Sequence, residues 1–277
     1  MNQLPDCQTL LLELENQWLR IWFNRPESRN ALSEELVNEL REVLETVRED
    51  RSIRGITLRG NGGVFCAGGD LKAFKRVFQS ETGDHQAAVD FNRGGGELFN
   101  LVNSMPQVVL MLVEGAAMAG GLGMLCAADV VAVTRDAKFS LTETTLGIPP
   151  AQIAPFVVKR LGLPTARRLM LTAARFDGVE AARLGLADYV VDAADDLETI
   201  EQQTRHAVQK CAPGANAVTK KIIMATSQLE GEALIDFAAE QFANAMLSDE
   251  GKEGLSAFAE KRKPAWATNL ENRETDR

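Results

Sequence analysis

The chain of 277 residues is short of the side chains that most often carry nucleophilic or metal chemistry. It has two histidines, His85 and His206, and both stand in polar sequence, which disfavours a Ser-His-Asp or Cys-His enzyme. Its four cysteines are far apart and form no C-x-x-C pair, which argues against a zinc site, a redox pair and a disulfide framework. We therefore expect free thiols and no metal site.

Long apolar runs and excess positive charge are also missing. No window approaches the ~20 unbroken apolar residues that span a bilayer. The N-terminal segment has no basic stretch and carries acidic residues inside its apolar run, unlike a signal or transit peptide. A net charge of −9 disfavours nucleic acid as the main partner, although a local basic patch can still hold a small anion. We expect a cytoplasmic protein that binds neither membranes nor nucleic acid.

Predicted strands and helices alternate in the first half of the chain. A hairpin with its turn at Glu15-Asn16 is expected within residues 9–25. Ser33 is a candidate N-cap for a helix whose apolar residues recur at helical spacing up to Val47. Short apolar runs predict largely buried strands at residues 53–60, 107–115 and 129–134. This alternation predicts an α/β fold built from repeated β–α units.

The second half of the chain has a different character. From residue 151 to residue 258 the pattern is mostly helical, with breaks at glycine and proline. We therefore divide the chain into a core over residues 1–200, a C-terminal helical region over 201–266 and a polar tail over 267–277 that we expect to be disordered.

Two glycine-rich stretches each follow a predicted strand and precede a predicted helix. The first is GNGGVFCAGGDLKAF, which starts at Gly60 and matches no phosphate-loop pattern. The second, EGAAMAGGLGMLCAADVVAV, has no proton-exchanging side chain from Gly120 to Gly123. Glycines let backbone N–H groups approach a ligand, and free donors at a helix N-terminus favour an oxygen that gains negative charge. Tight packing explains either stretch alone, but the pair favours an oxyanion site.

Glu143 is the candidate acid or base. It lies in KFSLTETTLGIPP, next to Thr142, Thr144 and Thr145, whose hydroxyl groups we expect to orient its carboxylate. A single loop glutamate is more often a surface residue, so Glu143 alone does not indicate a function.

Taken together, these elements resemble the crotonase superfamily, also called the enoyl-CoA hydratase/isomerase family. The resemblance covers nearly the whole chain and rests on NRPESRNALSEEL, FCAGGDLKAF, EGAAMAGGLGMLCAADVV, FSLTETTLGIPP, ARRLMLTAARFDGVEAARLGLADYVV and EGLSAFAEKRKPAW. It implies a crotonase-like spiral of repeated ββα units, a C-terminal helical region for trimerisation or hexamer assembly, and an acyl-CoA thioester as substrate. It implies no separate cofactor, because coenzyme A is part of the substrate.

The resemblance also implies roles for particular residues. The backbone N–H groups of Gly69 and Gly120 match the donors that bind the thioester oxygen as it becomes an enolate. Glu143 matches the second of the two glutamates usual in the hydratases, whereas Gly123 stands at the position of the first. The CoA moiety would be bordered by Ala67, Leu71 and Lys72, and by Phe258 and Lys261 from a neighbouring subunit.

Gly123 leaves two mechanisms open, and a third reading without catalysis. Glu143 either hydrates the double bond alone, by syn addition, or moves a proton between the α- and γ-carbons as an isomerase. The missing glutamate either leaves room for a larger substrate or marks a change of reaction. An inert CoA-binding or RNA-binding member of the fold is the remaining alternative.

The segment LGIPPAQIAPFVVKRLG favours hydration, because it resembles hydratases of branched glutaconyl-CoA esters. The expected substrate is isohexenylglutaconyl-CoA or 3-methylglutaconyl-CoA, as in acyclic terpene or leucine breakdown. A distal carboxylate would favour a nearby cation, and the candidates are Lys72, Lys75, Arg76 and Arg93. The segment NRGGGELFN either bends the pocket wall or forms a mobile connection.

Overall fold

The computed structural model describes residues 3–70 and 85–267. Its first element is the predicted hairpin, formed by strands β1 (Leu10–Glu15) and β2 (Trp18–Phe23). The turn is Asn16-Gln17, one residue later than predicted, and both residues have positive φ angles of 53° and 65°. Positive φ at both central positions defines a turn whose twist matches that of paired strands.

Helix α1 (Glu34–Val47) forms as predicted. The Ser33 hydroxyl accepts a hydrogen bond from the Leu36 N–H at 3.2 Å and so caps the first turn. The buried face consists of the five predicted apolar residues, Leu36, Leu40, Val43, Leu44 and Val47.

The remaining strands build two sheets. They are β3 (Gly55–Gly60), β4 (Val108–Val113), β5 (Ala116–Met118), β6 (Val130–Thr134), β7 (Lys138–Ser140), β8 (Phe176–Asp177) and β9 (Tyr189–Val191). The larger sheet has the order β1-β2-β3-β4-β6-β9 and is parallel from β2 onward. The smaller sheet has the order β5-β7-β8. Strands β3, β4 and β6 were predicted, whereas β8 and β9 are too short to give a periodic signal.

Helices follow the strands in the order that the resemblance implies. They are α2 (His85–Asn103), α3 (Gly120–Cys126), α4 (Ala154–Leu161), α5 (Leu163–Thr172), α6 (Gly178–Arg183), α7 (Asp196–Lys210), α8 (Pro213–Ala225), α9 (Gly231–Leu247) and α10 (Asp249–Ala259). Strands β4 and β5 are followed by α3, and β6 and β7 by α4 after a 3-10 helix (Glu143–Leu146). Each of these two turns thus adds one strand to each sheet and then a helix. This confirms the predicted α/β spiral of ββα units.

Helix α7 runs across residue 200 and is fixed to the larger sheet by a buried polar cluster. Glu201 on α7 is 1% exposed and accepts a hydrogen bond from the Thr57 hydroxyl at 2.6 Å. Its other oxygen accepts one from Arg20 Nε at 2.9 Å. The division of the chain at residue 200 stays a prediction. The predicted disordered tail lies outside the described residues apart from Ala267, which is buried.

The C-terminal helices α8, α9 and α10 expose large apolar side chains, which are Ile223, Ile235, Phe242, Met246, Leu247, Leu255 and Phe258. Isolated exposed apolar residues are ordinary, but a group of this size on adjacent helices is typical of a protein contact surface. Within residues 3–70 and 85–267, no helix is long and apolar enough to cross a bilayer.

Candidate active site

The first glycine-rich stretch runs between two neighbouring segments of chain. On one side, the Cys66 N–H donates to the Ala116 carbonyl at 3.0 Å, and the Met118 N–H donates to the Cys66 carbonyl at 2.9 Å. On the other side, the Ala67 N–H donates to the Arg29 carbonyl at 3.0 Å. Residues 66–70 are therefore held in an extended course between β5 and the segment before α1.

The backbone conformation of Gly68 sets the orientation of the peptide group between Gly68 and Gly69. Its φ of 97° is accessible at low cost to glycine, and its carbonyl accepts a hydrogen bond from the Leu32 N–H at 2.8 Å. In a trans peptide the C=O and the following N–H point in opposite directions. The Gly69 N–H is therefore aimed away from Leu32, towards the side on which Ala119 lies. A side chain at residue 68 would stand 3.0 Å from the Ala119 Cβ, so the two segments are in close contact.

The second glycine-rich stretch places the N-terminus of α3 beside the first. The residue before the helix, Ala119, has a φ of 49° and donates its N–H to the Ser140 carbonyl at 2.8 Å. The Gly120 N–H, at the first helical position, donates to no acceptor among the described residues. A Cβ on Gly120 would stand 3.1 Å from Leu32 Cδ1 and 3.6 Å from Phe99 Cζ. The residue that carries this backbone donor therefore lies next to apolar side chains, and in apolar surroundings a hydrogen bond to an oxyanion is strengthened.

Glu143 opens the 3-10 helix that follows β7, and its carboxylate is poorly solvated. Its Oε2 atom is buried and has no hydrogen-bond partner within the described parts of the chain. Burial raises the pKa of the Glu143 carboxyl above its ordinary value, against a smaller opposing contribution from a backbone hydrogen bond. A partly desolvated carboxylate with a free oxygen is suited to take up and release a proton.

The threonines around Glu143 do not hold its carboxylate as we predicted. The Thr144 hydroxyl donates to the Met170 carbonyl at 3.1 Å, and the Thr145 hydroxyl donates to the Thr142 carbonyl at 2.7 Å. The Thr144 hydroxyl therefore links the 3-10 helix to α5, and the Thr145 hydroxyl bonds back to the start of its own turn, as short hydroxyl side chains often do. The prediction is wrong for these two residues.

The space at Gly123 is filled. A Cβ on this residue would stand 2.6 Å from the Ile153 Cβ and closer still to the Ile153 Cγ2, so no side chain fits while Ile153 keeps its position. Ile153 is 4% exposed and immediately precedes α4. The expectation that Gly123 leaves room for a larger substrate is therefore wrong at this point, because an isoleucine occupies the room.

Helix α2 is continuous through the NRGGG segment. Gly96 accommodates the carboxamide of Gln152, whose Cδ would stand 2.7 Å from a Cβ on that glycine. The same carboxamide donates to the Asn92 Oδ1 at 2.8 Å. The segment is therefore neither a bend nor a loose connection in this structure, since one of its glycines is a packing site for the residue next to Ile153.

Four of the other predicted binding residues lie in the described parts of the chain. Ala67 is half-buried in the extended stretch, while Phe258 on α10 is 86% exposed and Lys261 follows it on the surface. Arg93 is exposed on α2 and pairs with Glu97 at 3.0 Å. The remaining predicted residues lie outside the described parts of the chain, and these are Leu71, Lys72, Lys75 and Arg76. The described residues contain no group of three or more histidine, cysteine or acidic side chains arranged to hold a metal ion.

Sequence reasoning did not single out Ile153 or Phe99, which line the region of Gly123 and Gly120. Each carries only the signal of an apolar residue at helical spacing, and this signal is common to most of the core. Their relation to the glycines depends on contacts between distant segments.

Comparisons with known proteins show what the whole chain is similar to. The family model described as enoyl-CoA hydratase/isomerase matches residues 13–269. A putative enoyl-CoA hydratase from Thermus thermophilus is 33% identical over 250 residues, which are 88% of this chain and 95% of the relative. The solved structure of Pseudomonas aeruginosa AtuE is 50% identical with a TM-score of 0.91, over 94% of this chain and 100% of that chain. An enoyl-CoA hydratase/isomerase from Marinobacter aquaeolei is 42% identical with a TM-score of 0.90, over the same shares.

Proposed function

The chain belongs to the enoyl-CoA hydratase/isomerase family, the crotonase superfamily, and from this premise we propose that it hydrates the 2,3 double bond of a branched glutaconyl-type enoyl-CoA. It is an enzyme of the enoyl-CoA hydratase type, and its substrate is an acyl-CoA thioester. The Glu143 Oε2 atom is buried with no hydrogen-bond partner among the described residues, and Ile153 fills the space at Gly123, so one carboxylate is left for the proton transfers. The observation that carries hydration over isomerisation is the segment from Leu146 to Gly162.

In the proposed reaction Glu143 does the work of both base and acid. It takes a proton from water while the hydroxide oxygen bonds to the β-carbon, and the electrons of the double bond move onto the thioester as an enolate. The same carboxyl then returns the proton to the α-carbon on the same face. The raised pKa of the Glu143 carboxyl supports this role. A group that both takes up and releases a proton works best when its pKa lies near the operating pH, and burial shifts the Glu143 pKa upward, in the direction of neutral pH.

The N–H groups of Gly69 and Gly120 are the proposed donors to the thioester oxygen. Removing one such donor typically costs ~3–4 kcal/mol of transition-state stabilisation. Two observations support this assignment: the orientation of the Gly68–Gly69 peptide, and a Gly120 N–H that has no acceptor within residues 3–70 and 85–267. Neither backbone N–H group titrates. In the proposed mechanism these two groups stabilise the enolate charge, and Glu143 alone transfers protons.

The proposed acyl group is branched and ends in a carboxylate. Support comes from the segment from Leu146 to Gly162, which resembles the corresponding segment of glutaconyl-CoA hydratases. Coenzyme A is proposed to contact Ala67, Leu71 and Lys72 of its own subunit and Phe258 and Lys261 of a neighbour. We propose a trimer or a pair of trimers, because the exposed apolar residues of α8, α9 and α10 need a partner surface. No separate cofactor is proposed.

The test is turnover of four CoA esters in water labelled with ¹⁸O. The panel contains 3-methylglutaconyl-CoA, isohexenylglutaconyl-CoA, 3-methylcrotonyl-CoA, which lacks the distal carboxylate, and unbranched crotonyl-CoA. We expect one ¹⁸O atom per product, loss of the conjugated thioester absorbance, and a preference for the two glutaconyl esters. A double bond that moves without ¹⁸O uptake would identify an isomerase instead.

Glu143→Gln is the matched variant. We expect it to lower turnover by about 10²–10⁴-fold, the usual contribution of a positioned acid–base group, while binding of a saturated CoA ester persists. Glu35→Gln, the same change at an exposed position on α1, should leave turnover unchanged. Near-normal turnover of Glu143→Gln would contradict the mechanism.

A further inference from the structure

Two consecutive side chains are seated in sites made by glycines on two different helices. Ile153 occupies the space above Gly123 on α3, and Gln152 occupies the space above Gly96 on α2. Neither glycine could carry a Cβ without displacing its occupant. The segment before α4 is therefore fixed in position by its side chains as well as by its backbone.

The backbone around these residues adds to the constraint. The Ala151 N–H donates to the Pro149 carbonyl at 2.8 Å, and the Ala154 N–H donates to the Pro150 carbonyl at 3.0 Å. Two adjacent prolines also limit the conformations open to this turn. Ile153 and Glu143 lie at opposite ends of the same short loop, so the seating of Ile153 fixes one end of the segment that carries the carboxylate.

Ile153 lies on the helix face that carries the proposed oxyanion donor. Gly120 and Gly123 are separated by three positions, which places them on one face of α3, about 4.5 Å apart along its axis. An acyl chain bound through its thioester oxygen at Gly120 has its β-carbon two bonds beyond the carbonyl carbon. The β-carbon and its substituents therefore lie within about one helical turn of the donor, and Gly123 with the Ile153 side chain over it lies within the same distance of Gly120.

We infer that Ile153 is a specificity-determining residue that limits the size of the group carried by the β-carbon of the substrate. The inference rests on the proposed function, because it uses the binding of a thioester at Gly120. Ile153 also makes the local surface apolar, which leaves the proton transfers to Glu143. A carboxylate at residue 123 and an isoleucine at residue 153 exclude each other sterically.

The test measures binding of saturated CoA esters by calorimetry, so that it does not depend on turnover. The two probes are butyryl-CoA, with no branch at the β-carbon, and 3,3-dimethylbutyryl-CoA, with two β-methyl groups. In Ile153→Ala we expect the Kd ratio of butyryl-CoA to 3,3-dimethylbutyryl-CoA to rise about tenfold over the wild type, since one methylene in a tight apolar pocket changes discrimination by about that factor.

Two further variants keep the result interpretable. Ile153→Val removes a single methyl group and should shift the Kd ratio in the same direction by a smaller factor. Ile56→Ala truncates the same residue type in the core of β3, where it is fully buried, and should lower stability without changing the ratio. A ratio that stays within twofold of the wild type in both Ile153 variants would overturn the inference.

The outcome separates the inference from the proposed function. If the ratio shifts but no ester takes up ¹⁸O, the hydratase proposal fails and the role of Ile153 stands. If hydration is observed and the ratio is unchanged, the role of Ile153 fails alone. If the wild type binds neither probe, the role of Ile153 fails, and ¹⁸O uptake by itself decides the hydratase proposal.

Discussion

The carbonyl of Gly68 accepts a hydrogen bond from the N–H of Leu32 at 2.8 Å, and this contact sets the direction of the Gly69 N–H. The two residues are far apart in the sequence and meet because residues 66–70 pass between β5 and the segment before α1. The proposed oxyanion donor is thus oriented by a bond that its own peptide makes on the opposite side.

Replacement of Gly68 tests this arrangement. Gly68→Ala should lower kcat by at least about tenfold, because an alanine strains the positive φ and its Cβ would stand 3.0 Å from the Ala119 Cβ. Gly63→Ala is the matched control, since Gly63 also has a positive φ of 74° but has no atom within 4 Å of its Cβ position. Both variants should lose about 1 kcal/mol of stability to backbone strain. Equal kcat values in the two variants would refute the orientation argument.

The raised pKa of Glu143 predicts how activity depends on pH. A base must be ionised, so kcat/KM should fall as the pH falls through the pKa of the Glu143 carboxyl. Because burial raises this pKa, the midpoint of the acidic limb should lie above the ordinary value of about 4.3 for a glutamate. A pH–rate profile whose acidic limb lies at or below that value would contradict the assignment.

The same shift predicts how stability depends on pH. A carboxyl whose pKa is raised on folding stabilises the protein fully below its unfolded pKa, and the stabilisation is lost as the pH rises through the folded pKa. The wild type loses this stabilisation as the pH rises, whereas Glu143→Gln has no carboxyl to lose it. The free energy of unfolding of Glu143→Gln minus that of the wild type should therefore increase as the pH rises from about 4, and this difference should then become constant. Urea titrations at several pH values measure this difference, and a constant difference would show that burial does not perturb Glu143.

Contact between Gly123 and Ile153 predicts a non-additive pair of mutations. Gly123→Ala should cost about 1–3 kcal/mol of stability, because its Cβ overlaps the Ile153 side chain. In Gly123→Ala combined with Ile153→Ala the new methyl group has room, so the loss should be smaller than the sum of the single losses by at least about 0.5 kcal/mol. Denaturant unfolding of the four proteins gives the coupling energy. Additive losses would show that the two residues do not compete for the same space.

The exposed apolar residues of the C-terminal helices predict an effect on assembly. Phe242 on α9 is 65% exposed, and Phe242→Glu should shift the sedimenting species towards the monomer, since a buried unpaired carboxylate is costly in an interface. Leu11→Glu, the same kind of change at an exposed apolar residue of β1, is the control and should leave the assembly unchanged. Trimers of undiminished stability in Phe242→Glu would place the interface elsewhere.

Local sequence signals determined a large part of the fold. Helix α1 is specified by the Ser33 cap and by the helical spacing of its own apolar residues, and strands β3, β4 and β6 are specified by continuous apolar runs. These signals act over a few residues, so they can be read without the tertiary structure. The two glycine-rich elements and Glu143 were found in the same way, although their joint meaning came from resemblance to a family.

Only the tertiary structure decided how these pieces form a site. In the folded chain, the hydrogen bond from Leu32 to the Gly68 carbonyl orients the Gly69 N–H, and the Thr144 hydroxyl donates to a carbonyl of α5. The Ile153 side chain packs against Gly123. Each of these relations joins segments that are separated in the chain. A hydrogen bond or a steric contact between such segments depends on how the sheets and helices pack. The spacing of residues along the chain does not predict such contacts. The sequence by itself therefore determined which groups are available, and packing decided which of them meet.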